Sequence, residues 1–379
     1  MLAAILSNAS AHSPTEAPAT AQLISCCQSW VPRMGNNYKS RLTRAARILF
    51  SGQSVPGSQT RMENYTIPAI TEEEVAEAKL FFPMEKFFIY GHARSGTTLL
   101  TRLVRLHPDV HCNYQGHFFT RPPLLQSLVA DPEITSWLTR RSNRWNRGGD
   151  LSPIILRATA DFIMERDARQ AGKNIVGDKS PNSLLNGKAV DLLRQIYPDG
   201  KLIYIVRDGR DALVSHRFQT FIDSTQHLNK EDWRIRESFI NDPESFTNSE
   251  RSIFTEKGLR RAAERWVNNI NETFEGGKSL FSDQFYTLRY EDLLDKSAHE
   301  IQQIWIFLGA DDTGNELDKL IDSELNKNPD ADWQQEKAGE IASSLQKGAR
   351  GSWVQYFTSD DHRIFEAIAG DTLKNWGYL

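Results

Sequence analysis

Cysteine is scarce in this chain. Cys26, Cys27 and Cys112 are the three in 379 residues, too few for a disulfide framework and without the spacing of a zinc site. No group of acids and histidines recurs at metal-ligand spacing either. Charge of one sign is also lacking: 45 lysines and arginines stand against 49 acids, a net charge of −4, so there is no basic stripe of the kind that binds nucleic acid. No apolar run reaches the roughly 18 residues that cross a bilayer. No internal repeat is present. What remains is a chain with 39% hydrophobic residues, enough to build one large core and a tail.

The tail is the first 80 or so residues. Residues 7–22 are rich in Ala, Ser, Thr and Pro, and 51–58 are punctuated by Gly, Ser and Pro, so both read as loop or disorder. Residues 1–6 are apolar but lack the charged n-region of a signal peptide. Between them, Lys39, Arg41, Arg44 and Arg47 alternate with Leu42, Ala45 and Leu49 at helical spacing over residues 38–50. Such a basic amphipathic helix either touches a membrane surface or packs on the domain that follows. Residues 81–379 read as that domain.

The most informative absence lies inside it. An apolar run ending at Tyr90 leads into Gly91-His92-Ala93-Arg94-Ser95-Gly96-Thr97-Thr98. This is the layout of a strand that delivers a phosphate cradle to a helix N-terminus, where free N–H groups and the helix dipole attract an anion. Gly91 and Gly96 have the spacing of a nucleoside triphosphatase loop, but Thr97 stands where that loop requires lysine. Arg94 is the loop's cation. The loop points away from ATP and toward another phosphate-bearing donor.

A second element repeats the logic. Lys201 to Val206 is a β-branched run that passes directly into Arg207. Asp208 and Asp211 form the N-cap and acidic first turn of a helix, with Ser215 one turn beyond Asp211 on the same face. Arg207 then sits at the carboxyl end of a strand, where open α/β sheets bind their ligands.

On these residues the chain resembles sulfotransferases that use 3′-phosphoadenosine 5′-phosphosulfate. Arg94, Ser95, Gly96, Thr97 and Thr98 are similar to that family's 5′-phosphosulfate loop. Arg207 and Ser215 are similar to its 3′-phosphate motif. Gln346-Lys347-Gly348-Ala349-Arg350-Gly351 resembles its Lys-Gly-x-x-Gly loop over the same phosphate, with Gln346 where an arginine is usual, so that Arg350 is a candidate for the missing charge. Leu288-Arg289-Tyr290 resembles the strand whose tyrosine reaches the adenine. Each alone has a bland reading: a strand–turn–helix joint, a charged helix start, a basic surface turn, a strand end. The four occur in the family's order over residues 86–379.

The resemblance implies sulfuryl transfer from that donor to a hydroxyl or amine acceptor by metal-independent in-line displacement, catalysed by positioning and electrostatics. Arg94 and Lys179 are the candidate cations for the bridging oxygen, Lys179 matching a lysine that the family puts at the end of a neighbouring strand. For the general base, the family's glutamate position after His107-Pro108-Asp109-Val110 is taken by Gln115. His117 is then the candidate, with Asp178 beside Lys179 as another. The acceptor stays open among sugar hydroxyl, phenol, steroid-like alcohol, amine and peptidyl tyrosine. A P-loop kinase-like enzyme and a non-catalytic nucleotide-binding relative are the competing readings. Members of the Golgi type usually carry a membrane span, so its absence here gives the expectation of a cytoplasmic protein.

The implied fold is a three-layer α/β/α domain around a parallel sheet, the P-loop-like sulfotransferase fold. Strands are expected at 86–90, 110–113, 174–177, 202–206 and 285–288. Helices are expected at 97–106, 182–196, 212–220, 258–274, 297–308 and 360–375, the fifth opened by a Ser297–Glu300 capping box. Two polar, aromatic-dotted stretches, about 121–172 and 221–257, interrupt the pattern as acceptor-pocket and lid insertions.

Overall fold

The computed structural model describes residues 66–121, 125–142, 144–310, 318–327 and 350–379. All of them lie in one compact unit, Thr66–Leu379. The expected helix at 38–50 and the residues Lys347 and Gly348 fall outside the described residues.

Five strands form one parallel sheet: β1 (Glu85–Gly91), β2 (Val110–Tyr114), β3 (Ile175–Lys179), β4 (Lys201–Val206) and β5 (Phe285–Arg289), in the order β2-β3-β1-β4-β5. All five match the expected strands. The runs were legible because a parallel strand is covered on both faces and reads as a continuous apolar segment. The alternation within β1 divides the core: Phe87 and Ile89 belong to one apolar cluster, while Phe88 stacks on Tyr197 of the opposite layer.

The helices, in chain order, are α1 (Glu72–Phe81), α2 (Thr97–Val104), α3 (Ser127–Ala130), α4 (Pro132–Thr139), α5 (Ser152–Gln170), α6 (Gly187–Ile196), α7 (Gly209–Asp223), α8 (Lys230–Asn241), α9 (Pro243–Thr247), α10 (Glu256–Phe281), α11 (Tyr290–Asp295), α12 (Ser297–Leu308), α13 (Asp318–Leu325), α14 (Trp353–Tyr356) and α15 (Ser359–Asn375). Leu100, Leu103 and Val104 of α2 share a cluster with Ile301, Ile304, Trp305 and Leu308 of α12 against Ile89, Ile203 and Ile205. On the other face α5 packs on β2 and β3, and α10 packs on β4, α6 and α15. The result is the expected three-layer sandwich.

Three details differ from the sequence reading. The Ser297 capping box does not form, because Lys296 occupies the N-cap and Glu300 accepts a bond from the Tyr286 hydroxyl instead. Stretch 121–172 is no plain insertion, since its largest part is α5, a helix of the outer layer. It reads as polar because its buried charges are internally matched: Arg157 donates to both Asp199 oxygens at 2.6 and 2.9 Å, and Glu165 holds Lys86 at 2.8 Å. The helix expected from 182 begins at Gly187, as Asn182 is spent on the Thr273 hydroxyl and the Asn186 carbonyl.

Candidate active site

The strand order puts β1 between β3 and β4, so the chain crosses over β1 when it passes from β3 to β4. That reversal opens a crevice at the carboxyl ends of the three central strands, where ligands of such sheets bind. Each of those ends delivers a cation: Arg94 follows β1, Lys179 closes β3 and Arg207 follows β4.

The loop after β1 is shaped by two left-handed residues, Arg94 at φ 72° and Gly96 at φ 88°. Arginine rarely adopts such a backbone, and strain of that kind collects where a site demands it. Gly96 is obligatory for a second reason. A Cβ there would lie 2.2 Å from Cδ2 of Tyr290, whose ring packs on the loop. Gly96 is also the N-cap of α2 and offers no side-chain cap, so the leading N–H groups of the helix have no side-chain acceptor from the cap. Beside them, the Ser95 hydroxyl is fully buried and has no hydrogen-bond partner among the described residues. A buried orphan hydroxyl in a cradle of N–H groups fits a phosphate-like ligand.

The cations converge on this loop. Nε of Arg94 donates to the Ser215 hydroxyl at 3.0 Å, and the Arg207 guanidinium donates to the Arg94 carbonyl at 3.1 Å. Burial lowers the Arg94 pKa, with Arg207 adding to the effect. No carboxylate lies within ion-pairing distance of Arg94 among the described residues. Two guanidiniums brought together in this way favour an anion beside them. Lys179 is buried. Its ammonium donates to the Thr98 hydroxyl at 3.3 Å and stands 5.3 Å from the Tyr114 ring. Burial pulls its pKa down, and Arg94 contributes.

Tyr290 is 4% exposed, with its ring against Gly96 and 4.8 Å from the Arg207 guanidinium. It is a wall between the two phosphate motifs rather than an open face for a base. Thr97 is buried and Thr98 exposed on the same turn. Arg350 reaches Asp295 at 2.6 Å, both side chains half exposed.

His117 lies just past β2 with φ 51°. Its N–H donates to the Ser180 hydroxyl, and its Nδ1 is 2.7 Å from the Thr120 hydroxyl. Burial, with Arg121 and Lys179 nearby, lowers its pKa to about 4. Asp178 is buried and its pKa raised by burial to about 6. Its two oxygens accept from the Gly116 N–H and the Ser180 hydroxyl. Asp178 therefore holds the strand-end turn in which His117 sits.

Two contributors, and the contacts of a third, escaped the sequence reading. Tyr114 pairs in register with Lys179 and lies between it and Arg105, 5.4 Å from the latter. Glu291 accepts from the Asp208 N–H and from the Tyr378 hydroxyl, tying β5 and the chain's end to the start of α7. Asp211 accepts from residues 351–353. Tyr114 and Glu291 have no signal of their own in the sequence, and Asp211 is legible there only as a first-turn acid. A cavity of about 350 Å³ adjoins Tyr114, lined by Arg105, His111, Asn113, Gly116, Phe118 and Ile163 among others.

The sulfotransferase family's model matches residues 86–314, more than half of the chain, and the chain belongs to that family. It is therefore an enzyme that moves a sulfuryl group from 3′-phosphoadenosine 5′-phosphosulfate to an acceptor. Among curated relatives it is 24% identical over 291 residues to the "Putative protein-tyrosine sulfotransferase" of Caenorhabditis briggsae, covering 74% of this chain and 85% of that one. It is 30% identical over 133 residues to protein-tyrosine sulfotransferase 1 of Danio rerio, covering 35% of each. Among solved structures, mouse sulfotransferase SULT7A1 complexed with PAP is similar at 17% identity and a TM-score of 0.42, over 80% of this chain and 90% of that one.

The expected cytoplasmic location is corrected by the protein-tyrosine sulfotransferases among these relatives, which are Golgi membrane enzymes. Among the described residues no helix is long and apolar enough to cross a membrane. That observation does not specify a compartment, and it was the ground for the expectation.

Proposed function

We propose that the crevice at the ends of β3, β1 and β4 is the donor site, with Arg94, Ser95, Gly96, Thr97 and Thr98 holding the 5′-phosphosulfate and Arg207 with Ser215 holding the 3′-phosphate. The observation that carries this is the pair Arg94 and Ser95: a half-buried guanidinium beside a buried hydroxyl, the first with no ion-pair partner and the second with no hydrogen-bond partner among the described residues. The donor, when bound, supplies an electrophilic sulfur and a stable phosphate leaving group. Arg94 and Lys179 neutralise the charge that grows on the bridging oxygen, acting in a dry site where such charges count for most. Tyr290 holds Arg207 and the loop at a fixed separation. Arg350 is the candidate for a further charge on the 3′-phosphate.

His117 accepts the acceptor's proton. Its lowered pKa keeps the imidazole neutral, and Thr120 fixes its ring, leaving the second nitrogen for the acceptor. The acceptor enters through the cavity beside Tyr114. The relatives are named for protein tyrosine, and a cavity walled by Tyr114 and Phe118 with Arg105 at its side suits a phenol carried on a peptide. Transfer of labelled sulfate to a tyrosyl peptide, compared with a free phenol and a sugar alcohol, tests this reading. Transfer to the peptide alone or preferentially supports it. Transfer to the sugar alone overturns the acceptor, and transfer to none of a broad acceptor panel overturns the catalytic reading.

A further inference from the structure

The first turn of α7 carries an acid where the donor site wants none. Asp211 lies one turn after Arg207 and one turn before Ser215, the two residues assigned to the 3′-phosphate. It is 1% exposed, and its charge reaches the site's wall: burial raises the Tyr290 phenol's pKa, Arg207 opposes this, and Glu291 and then Asp211 add to it. A carboxylate in that position repels a bound phosphate, so its presence calls for another role.

Its bonds identify that role. One oxygen accepts from the Gly351 N–H at 2.7 Å. The other accepts from the Ser352 hydroxyl at 2.9 Å and from the Trp353 N–H at 3.0 Å. Gly351 has φ 73°, a left-handed turn that lets the N–H groups of Gly351 and Trp353 face one carboxylate. The neighbouring Arg210 completes the attachment. Its guanidinium, held by Asp208 at 2.7 Å, lies 4.1 Å from the Trp353 ring. Residues 350–353 are thus fastened at several points to the helix that reads the 3′-phosphate.

We infer that Asp211 is a positioning residue for recognition of the 3′-phosphate, acting through residues 350–353. This rests on the donor-site reading given above. The carboxylate joins the C-terminal arm of the site, Arg350 included, to the helix bearing Ser215, so that both arms meet the phosphate at one fixed separation. Preorganisation of this kind raises affinity by removing the ordering cost at binding.

The sign of the effect separates this role from simple electrostatics. Asp211→Asn removes a negative charge next to an anion site, and electrostatics alone then predicts tighter binding of any phosphate. Positioning predicts weaker binding of the nucleotide that carries the 3′-phosphate. The asparagine amide faces the Gly351 N–H donor to donor and loses that bond.

Binding of adenosine 3′,5′-bisphosphate and of adenosine 5′-phosphate to the full chain is measured by calorimetry, for wild type, Asp211→Asn and Ser352→Ala. The expected result for Asp211→Asn is a roughly tenfold loss for the bisphosphate and less than about a twofold change for the monophosphate. Ser352→Ala, which removes one hydroxyl and leaves the turn intact, gives a smaller loss of about threefold with the same selectivity. In transfer assays the donor KM of Asp211→Asn rises while kcat at saturating donor holds. Tighter binding, equal loss for both nucleotides, or a fall in kcat alone each overturns the inference. A wild type that binds the two nucleotides equally would instead overturn the donor-site reading.

Discussion

The proposed donor side and the proposed acceptor side of this site are built differently. On the donor side, the groups hang on short sequence intervals: a strand end, a left-handed glycine and a helix start supply Arg94 to Thr98, and a strand end and an Asp208-capped helix start supply Arg207 to Ser215. On the acceptor side, His117, Tyr114 and Asp178 meet across β2 and β3, from positions more than 60 residues apart. Recognition of a phosphate uses backbone geometry, which a motif can encode. Recognition of an acceptor uses side chains brought together by the fold.

If the donor side is a rigid backbone cradle, its glycine is its weakest point. Gly96→Ala puts a side chain at φ 88° and 2.2 Å from the Tyr290 ring. Strain at positive φ plus overpacking amounts to about 4 kcal/mol, or about a thousandfold in donor affinity. Equilibrium binding of the bisphosphate checks this, and a loss below about tenfold means that the loop is softer than described. Arg94→Ala comes next. It removes one preorganised cation from the bridging oxygen and lowers kcat by about two to three decades, as single-turnover kinetics would register.

The acceptor side is more forgiving. His117→Ala lowers kcat by about a hundredfold, the low end for a general base, because a nitrogen with a pKa of about 4 is a weak one. The sign in pH follows from the same shift. Burial favours the neutral ring, so the base stays active down to about pH 4, and the acid limb of kcat falls there rather than near 6.5. The alanine variant loses that limb. A limb near 6.5 in wild type would show a more solvated histidine than the one described.

The smallest effect concerns Asp178, whose carboxyl is raised to about 6 by burial. A raised carboxyl binds its proton more tightly folded than unfolded, so its contribution is greatest at low pH and declines as pH rises from about 4 through 6. Asp178→Asn copies the protonated form and keeps an acceptor for the Gly116 N–H. Its stability relative to wild type therefore increases from pH 4 to pH 7, by about 1–3 kcal/mol, with kcat nearly unchanged. Thermal unfolding at several pH values measures this. A large fall in kcat would return Asp178 to the list of bases.

This contrast also explains what could be read from the sequence. All five strands were legible, because buried parallel strands leave local patterns, and both proposed phosphate motifs stand at strand ends that the sequence also marks. Helix α5 was not, as its buried Arg157 and Glu165 carry the composition of an exposed segment, and the Asp199 and Lys86 that pair with them lie about 40 and 80 residues away in the chain. Asp211 was legible as a first-turn acid, yet its partners at 351–353 lie 140 residues away and nothing local marks them. Tyr290 was found as a site residue, but its packing on Gly96 depends on β5 lying next to β4.

The central claim is that Arg207 reads a 3′-phosphate. The most direct measurement is calorimetric binding of adenosine 3′,5′-bisphosphate and of adenosine 5′-phosphate to wild type and to Arg207→Ala. Removing one partner of a forked, charge-assisted contact costs about 2–4 kcal/mol. The account predicts that loss for the bisphosphate and almost none for the monophosphate. Equal losses for the two nucleotides would contradict it.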